Sequence, residues 1–288
     1  MIVVRLGAML RKLFACLSLS FVFLFSACAS LVRPELSPEE ESALYPVASY
    51  VPEVFDWQEI GDESGNGVVS GIWRFDFVSS NPDFPLIYHA VKIDLDSDFN
   101  LVTCLRERTS TFAARENCLV AMNATPFGRK NLAGIYKVSG EVLSSPIERY
   151  AALGLHCEKD GTVREARIFE SQIDEGLAAY EAALGGFFVV LKDGQVQQDF
   201  IRRLDSRSGA GVSANGKTLY LLVVEGENQG KSRGLSYPQC GEIFLAMGCS
   251  DALEFDGGGS SDLCIKGCSI LSYKVLRRQG NSFGFKVK

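Results

Sequence analysis

Alternation of apolar and polar residues along the chain predicts a protein built mainly from strands. Residues 71–78 (GIWRFDFV) and 86–95 (LIYHAVKIDL) alternate as half-buried strands do. Residues 151–169 and 184–197 each contain two strand-like runs around a Lys-Asp-Gly turn. Residues 208–226 predict a hairpin around Asn-Gly, which is a strong short-range turn signal.

Two stretches favour helices instead. Residues 236–250 predict the longer helix, which begins with a capping Ser236 and ends at Gly248. Residues 109–118 predict a shorter helix capped by Thr109 or by the Ser after it. Many strands, few helices and mostly hairpin connections indicate an α+β fold with a mixed, largely antiparallel sheet and a few packed helices.

The start of the chain is typical of an export signal. A basic beginning precedes 15 apolar residues, which are too few for a comfortable membrane span. The sequence Phe-Ser-Ala-Cys ending at Cys28 resembles a bacterial lipobox, although Leu is usual where Phe25 stands. Residues 1–27 are therefore predicted to be a lipoprotein signal peptide and Cys28 the lipidated residue. A secretory signal cut near Ala27, or an uncleaved anchor, is the alternative.

The rest of the chain suits one anchored domain. Residues 28–51 contain three prolines and several acids, and we expect them to tether residues 52–288 to the membrane of the bacterial cell envelope. The net charge is −6 and no basic run is interleaved with aromatic residues, so nucleic-acid binding is disfavoured.

Cysteine usage fits an oxidising compartment without indicating a metal or other cofactor. Seven cysteines follow Cys28, so at least one is free or paired between chains. Zinc is disfavoured because no Cys-x-x-Cys pair is present and the two histidines are far apart. The seven are Cys104, Cys118, Cys157, Cys240, Cys249, Cys264 and Cys268.

Candidate chemistry concentrates in residues 252–267 (ALEFDGGGSSDLCIKG). Glu254 and Asp256 lie two apart on a predicted strand that runs to Asp256, so both face the side opposite Leu253 and Phe255. A loop of small residues then offers backbone amides and hydroxyls to a phosphate or a sugar. Its members are Gly257, Gly258, Gly259, Ser260 and Ser261. A plain flexible turn is the simpler alternative, and a calcium site ranks last because alternating acids are missing.

Several segments, in the right order, resemble the phosphodiester glycosidase family. The run ALEFDGGGSSDL resembles the family signature A-L-N-L-D-G-G-G-S-S, and the resemblance covers roughly residues 86–265. The other matching segments are residues 89–95, 116–127, 184–195, 205–226 and 232–261. This resemblance implies a hydrolase that cleaves the glycosidic bond of sugar-1-phosphodiesters of the N-acetylglucosamine type.

The resemblance also implies roles for individual residues. Asp256 would stabilise or attack the anomeric carbon, or activate water. Arg207, with Ser208 and the loop amides, would bind the leaving phosphate. Asn123 would orient a sugar hydroxyl or acetamido group. Alternatively, Arg207 pairs with an acid such as Asp205 or Asp256, Asn123 caps a turn, and the two loop serines only satisfy backbone groups.

This sequence departs from the family pattern near the presumed reaction centre. Glu254 replaces the usual Asn, Gln239 a usual Glu, Ser208 a usual Thr, and Ala124 a usual Gly. Repulsion between Glu254 and Asp256 would raise one pKa and supply a general acid, whereas a solvated Glu254 would have no role. The departures leave open a non-catalytic lipoprotein of the same fold that binds a glycan or a partner.

Overall fold

The computed structural model describes residues 37–60, 71–79, 81–200 and 202–288. The predicted signal peptide and Cys28 lie outside the described residues. In the described ranges the chain forms three short α-helices, α1 (Pro38–Leu44), α2 (Thr109–Glu116) and α3 (Tyr237–Met247). The strands are β1 (Gln58–Glu59), β2 (Ile72–Val78), β3 (Ile87–Asp94), β4 (Phe99–Leu105), β5 (Val120–Asn123), β6 (Tyr136–Val138), β7 (Glu141–Ser144), β8 (Ala152–Cys157), β9 (Val163–Phe169), β10 (Ala182–Gly185), β11 (Val189–Lys192), β12 (Gln195–Val196), β13 (Arg207–Val212), β14 (Thr218–Val224), β15 (Asp251–Glu254), β16 (Leu263–Ile265), β17 (Cys268–Ser269) and β18 (Asn281–Val287).

The strands form three sheets, and every strand pair in the described part of the chain is antiparallel. The largest sheet has the order β1-β2-β3-β14-β13-β15-β11-β12, and the two smaller ones have the orders β7-β6-β10-β8-β9 and β17-β16-β5-β18-β4. The fold is therefore largely β, so the predicted α+β class with a mixed sheet holds only loosely. The predicted hairpins are present, because Lys-Asp-Gly and Asn-Gly supply the left-handed turn residues that short connections need.

Two apolar layers cover the faces of the large sheet. One lies between the large sheet and the smaller sheets and contains Leu253 and Phe255. The other lies between the large sheet and α3 and contains Ala252 and Phe244. Successive residues around β15 thus point to opposite faces, as the predicted strand periodicity requires.

Helix ends follow local chemistry in one case and tertiary contacts in the other. Helix α3 has Ser236 as its N-cap residue and Gly248 as its C-cap residue at φ 96°, as predicted. The predicted cap of α2 is wrong, because Arg108 is the N-cap residue and makes no capping side-chain hydrogen bond. The Thr109 amide donates instead to Gln279 Oε1 at 3.0 Å, a partner 170 residues away that local pattern cannot supply.

The packed part of the chain begins before residue 52. Tyr45 and Tyr50 lie in the core with 4% and 2% of their surface exposed, and the Tyr88 hydroxyl donates to the Tyr50 carbonyl at 2.9 Å. The second half of the predicted tether therefore packs against the domain. Within the described ranges, no helix is long and apolar enough to cross a bilayer. The seven cysteines after Cys28 all lie in the described ranges, and none of them forms a disulfide there.

Candidate active site

The predicted site residues meet at one edge of the large sheet. Strand β15 ends at Glu254, two residues earlier than the sequence predicts, and Asp256 lies in the loop that follows. The neighbours β13 and β11 run antiparallel to β15, so they begin beside that end. Arg207 at the start of β13 and the Gly-rich loop therefore share the same edge.

Asn123 joins three segments of this edge. Its Nδ2 donates to the Asp256 carbonyl oxygen at 2.6 Å. Its Oδ1 accepts from the Ser208 hydroxyl at 2.9 Å and from the Asp262 amide at 3.0 Å. Both Asn123 and Ser208 are fully buried. Their side chains are occupied in holding the loop against the sheets, which suits positioning better than the substrate contacts predicted from the sequence.

The Gly-rich loop uses much of its own backbone internally. The Gly258 amide donates to the Ser206 carbonyl at 2.9 Å, and the Ser260 and Ser261 amides donate to the carbonyls of Gly257 and Gly258 at 3.3 and 3.0 Å. Gly258 has φ 58°, a conformation that favours glycine. The last two bonds form a tight 3-10 turn. Of the Gly257 to Gly259 amides proposed for phosphate, that of Gly258 is committed to the Ser206 carbonyl.

The two acidic residues have different surroundings. Glu254 is fully buried, and burial raises its pKa to about 8, opposed by the Arg207 charge and by Cys240. Asp256 is half-buried, and burial raises its pKa to about 6, opposed by the Ser260 hydroxyl and the Arg277 charge. Burial, rather than repulsion between the carboxyls, is the dominant cause of both shifts.

Arg207 is held at the N-terminal end of α3. Its Nε donates to the Leu235 carbonyl at 2.9 Å, and its Nη2 donates to the Arg203 carbonyl at 2.5 Å. The guanidinium stacks on the Tyr237 ring at 4.0 Å and only 7% of the residue is exposed. Two nitrogens are therefore engaged by the protein, and the acid whose pKa the guanidinium influences is Glu254.

A row of half-buried aromatic rings runs past the end of β15. Tyr150 packs edge-on against Phe187 at 5.3 Å, and Phe188 contacts Phe200 at 5.5 Å and Tyr237 at 5.9 Å between ring centres. The Phe187 amide donates to the Glu254 carbonyl at 2.7 Å, which fixes the row beside the candidate site. We call these five residues, Tyr150, Phe187, Phe188, Phe200 and Tyr237, the aromatic wall.

Two other residues important to this region were missed in the sequence. Gln172 is buried, and its Oε1 accepts from the Ile135 and Ile147 amides at 2.8 and 2.9 Å while its Nε2 donates to the Ala151 carbonyl at 3.0 Å. Arg277 is exposed, and its positive charge lowers the pKa of Asp256. Nothing local marks either residue, because each acts on segments far away in sequence.

No group of three or more metal-ligating side chains occurs in the part of the chain that the structure describes. The site is instead a half-buried carboxyl, a Gly-rich turn, nearby arginines and an aromatic wall. Such an arrangement can stabilise opposite charges on neighbouring atoms of a bound molecule.

Comparison with known proteins identifies the family. The family model described as phosphodiester glycosidase matches residues 116–286. The chain belongs to the phosphodiester glycosidase family. The predicted resemblance is thereby confirmed, and the matched range includes both candidate acids and the aromatic wall. No curated protein sequence matches this chain.

Solved structures share the fold of this family member. The catalytic domain of zebrafish N-acetylglucosamine-1-phosphodiester alpha-N-acetylglucosaminidase, auto-inhibited by its pro-peptide, superposes with a TM-score of 0.61 at 18% identity, covering 82% of this chain and 89% of that one. A hypothetical protein from Synechocystis gives 0.59 at 16% identity, covering 76% and 62%. A Burkholderia pseudomallei K96243 protein, provisionally assigned as exported, gives 0.52 at 15% identity, covering 72% and 75%.

Proposed function

We propose that this protein is an exported, lipid-anchored hydrolase that cleaves the glycosidic bond of sugar-1-phosphodiesters. The observation that carries the proposal is Asp256: a half-exposed carboxyl with a raised pKa, beside Arg277, in the signature loop of a phosphodiester glycosidase family member. N-acetylglucosamine is the first sugar to test because the zebrafish relative is named for that substrate.

The chemistry needs two opposite charges to be stabilised. Positive charge develops on the sugar ring as the bond to phosphate breaks, and in this proposal the Asp256 carboxylate stabilises that charge, attacks the anomeric carbon or activates water. Negative charge develops on the leaving phosphate, which a guanidinium stabilises. A phosphate monoester is a good leaving group, so the reaction does not require a strong general acid.

The other site residues support Asp256 in this proposal. Asn123 and Ser208 hold the Gly-rich loop at the end of the sheet, and Arg207 orients Tyr237. The aromatic wall offers rings on which the apolar face of a sugar can stack. Glu254 is fully buried, so we assign it to the packing between the sheet and α3 rather than to proton transfer.

The proposal is tested by incubating the full-length protein with a panel of sugar-1-phosphodiesters and following released reducing sugar. We expect turnover in the wild type and loss of about a thousandfold or more in Asp256→Ala. Saturable binding of the same compounds without turnover would instead support a glycan-binding lipoprotein. That outcome is compatible with the two Arg207 nitrogens that bind backbone carbonyls.

A further inference from the structure

A cleft of about 490 Å³ combines cationic, neutral polar and apolar side chains, and no carboxylate occurs among the described residues that line it. Arg106 and Lys130 bring positive charge to the cleft, and Asn131, Ser144 and Ser145 bring neutral polar groups. The remaining lining residues are Leu105, Leu132, Gly134, Leu143, Pro146 and Ile147. In a chain of net charge −6, a polar cleft with cations and no acids favours an anionic ligand.

Arg106 carries two signs of a functional constraint. Its Nη2 is buried and has no hydrogen-bond partner among the residues that the structure describes, although a buried guanidinium nitrogen is costly to leave unpaired. Its backbone has φ 52°, a left-handed conformation that is unfavourable for a residue with a side chain. Because Arg106 also lines the cleft, an anion bound there can approach its guanidinium group.

Phe127 links this cleft to Asp256. The Arg106 guanidinium carbon lies 5.9 Å from the centre of the Phe127 ring, and that of Arg277 lies 5.0 Å from the same centre. Arg277 in turn influences the Asp256 carboxyl and approaches Gly259 in the loop. Asp256, Arg277 and Arg106 therefore follow one another from the proposed reaction centre into the cleft.

The cleft and the aromatic wall lie on either side of a short segment. The cleft includes Ile147, the wall begins at Tyr150, and the Tyr150 amide donates to the Ile147 carbonyl at 3.0 Å. Gln172 binds the Ile147 amide and so fixes this segment. One surface thus offers stacking rings for a sugar, a carboxyl at the centre and a cationic cleft.

We propose that this cleft binds the phosphate and the leaving alcohol of the substrate, with Arg106 and Arg277 as the phosphate ligands. The inference rests on the proposed function and assigns the part of the site that binds the leaving group. It replaces Arg207, two of whose nitrogens are bonded to carbonyls, as the main phosphate contact. Lys130 and the two serines contact the alcohol portion, which favours a polar alcohol such as a glycerol or a second sugar.

Direct binding tests the cleft without relying on turnover. Phenyl phosphate and glycerol 3-phosphate, both monoesters like the leaving group, are titrated calorimetrically into the full-length protein, with glycerol as the neutral control. We expect both monoesters to bind in a salt-dependent manner and glycerol not to bind. Arg106→Gln and Arg277→Gln should each weaken binding about tenfold or more, as expected for a charge-assisted hydrogen bond.

Arg167→Gln is the matched control, because Arg167 also stacks on a phenylalanine ring, at 5.3 Å from Phe169, in another part of the molecule. Monoesters that fail to bind the wild type, or bind both cleft variants as well as the wild type, overturn the inference. Equal weakening in Arg167→Gln also overturns it. Arg277 is exposed, so its variant remains informative if Arg106→Gln does not fold.

Turnover of the same preparations separates this inference from the proposed function. Monoester binding that depends on Arg106 and Arg277, in a protein without turnover, supports the anion site and contradicts the hydrolase. Turnover that depends on Asp256, with monoester binding indifferent to both arginines, supports the hydrolase and overturns the cleft assignment.

Discussion

Glu254 and Asp256 are two residues apart, yet their carboxyl groups lie in different regions of the molecule. Glu254 belongs to the interface between the large sheet and α3, where it is fully buried near Arg207. Asp256 belongs to the loop edge, where it is half-exposed beside Arg277. Both have raised pKa values because of burial, but only Asp256 is reachable by a ligand. A raised pKa therefore identifies a candidate catalytic group only together with access.

The prediction with the largest expected effect distinguishes Asp256 from Glu254 by the dependence of activity on pH. If the ionised Asp256 carboxylate is required, kcat/KM should fall about tenfold per unit below pH 6, its approximate pKa. Arg277→Gln should move this limb to higher pH, because the guanidinium opposes the pKa rise of Asp256. The measurement is the pH–rate profile of sugar release from a sugar-1-phosphodiester.

Glu254→Gln is the matched control for this prediction. We expect it to leave the acidic limb in place, and an alkaline limb lost in this variant would restore the general-acid hypothesis for Glu254. An acidic limb that does not respond to Arg277→Gln would show that another group than Asp256 controls it.

The second prediction concerns the effect of Glu254 on the free energy of unfolding. Its pKa is about 8 in the folded state against 4.5 in the unfolded chain, so the folded protein holds an extra proton between these values. The free energy of unfolding should therefore fall as pH rises from about 5 to 8, by at most about 1.4 kcal/mol per pH unit. Glu254→Gln should abolish this slope and be more stable than the wild type at pH 8.

Urea unfolding at pH 5, 6.5 and 8 measures this slope. Asp256→Asn is the comparison variant. Because the pKa of Asp256 is about 6, this carboxyl changes the free energy of unfolding only between about pH 4 and pH 6. Equal slopes in wild type and Glu254→Gln between pH 6.5 and 8 would contradict the buried, protonated state of Glu254.

The third prediction compares glycines within the loop. A Cβ on Gly257 would lie 2.8 Å from the Ser206 carbonyl oxygen, whereas a Cβ on Gly259 would meet nothing closer than 3.7 Å. Gly257→Ala should cost about 2 kcal/mol and reduce activity by displacing the loop, while Gly259→Ala should change stability by less than about 0.5 kcal/mol. Thermal unfolding with activity of both variants tests this, and equal losses would contradict the close approach of Gly257 to Ser206.

Sequence pattern predicted much of the framework because its signals are local. The hairpins depend on Lys-Asp-Gly and Asn-Gly turns, and helix α3 depends on Ser236 and Gly248 at its ends. The same pattern identified Asp256 and the Gly-rich loop, and placed Leu253 and Phe255 on one face.

Residues that act across the fold could not be predicted in this way. The Gln279 contact that replaces a cap on α2 depends on the pairing of distant strands. The same holds for the bonds of Gln172 to Ile135 and to the segment from Ile147 to Ala151. Arg277 has no local signal, since its relation to Asp256 arises only when the chain after the Gly-rich loop returns to the site. Burial of Glu254 likewise depends on α3, which packs over its carboxyl group. The sequence alone does not determine whether that carboxyl is exposed or buried.

The prediction with the smallest expected effect tests whether the aromatic wall contacts the same ligand as Asp256 in the loop. Tyr150 is half-buried at the end of the wall, so Tyr150→Ala removes a stacking surface with little loss of core packing. Loss of one stacking ring should raise KM for the sugar-1-phosphodiester about three- to tenfold, corresponding to about 1 kcal/mol, with kcat nearly unchanged. Tyr150→Phe keeps the ring and should behave as the wild type. A fall in kcat at constant KM would place the ring in the chemical step instead, because a contact made equally to bound substrate and transition state changes KM alone.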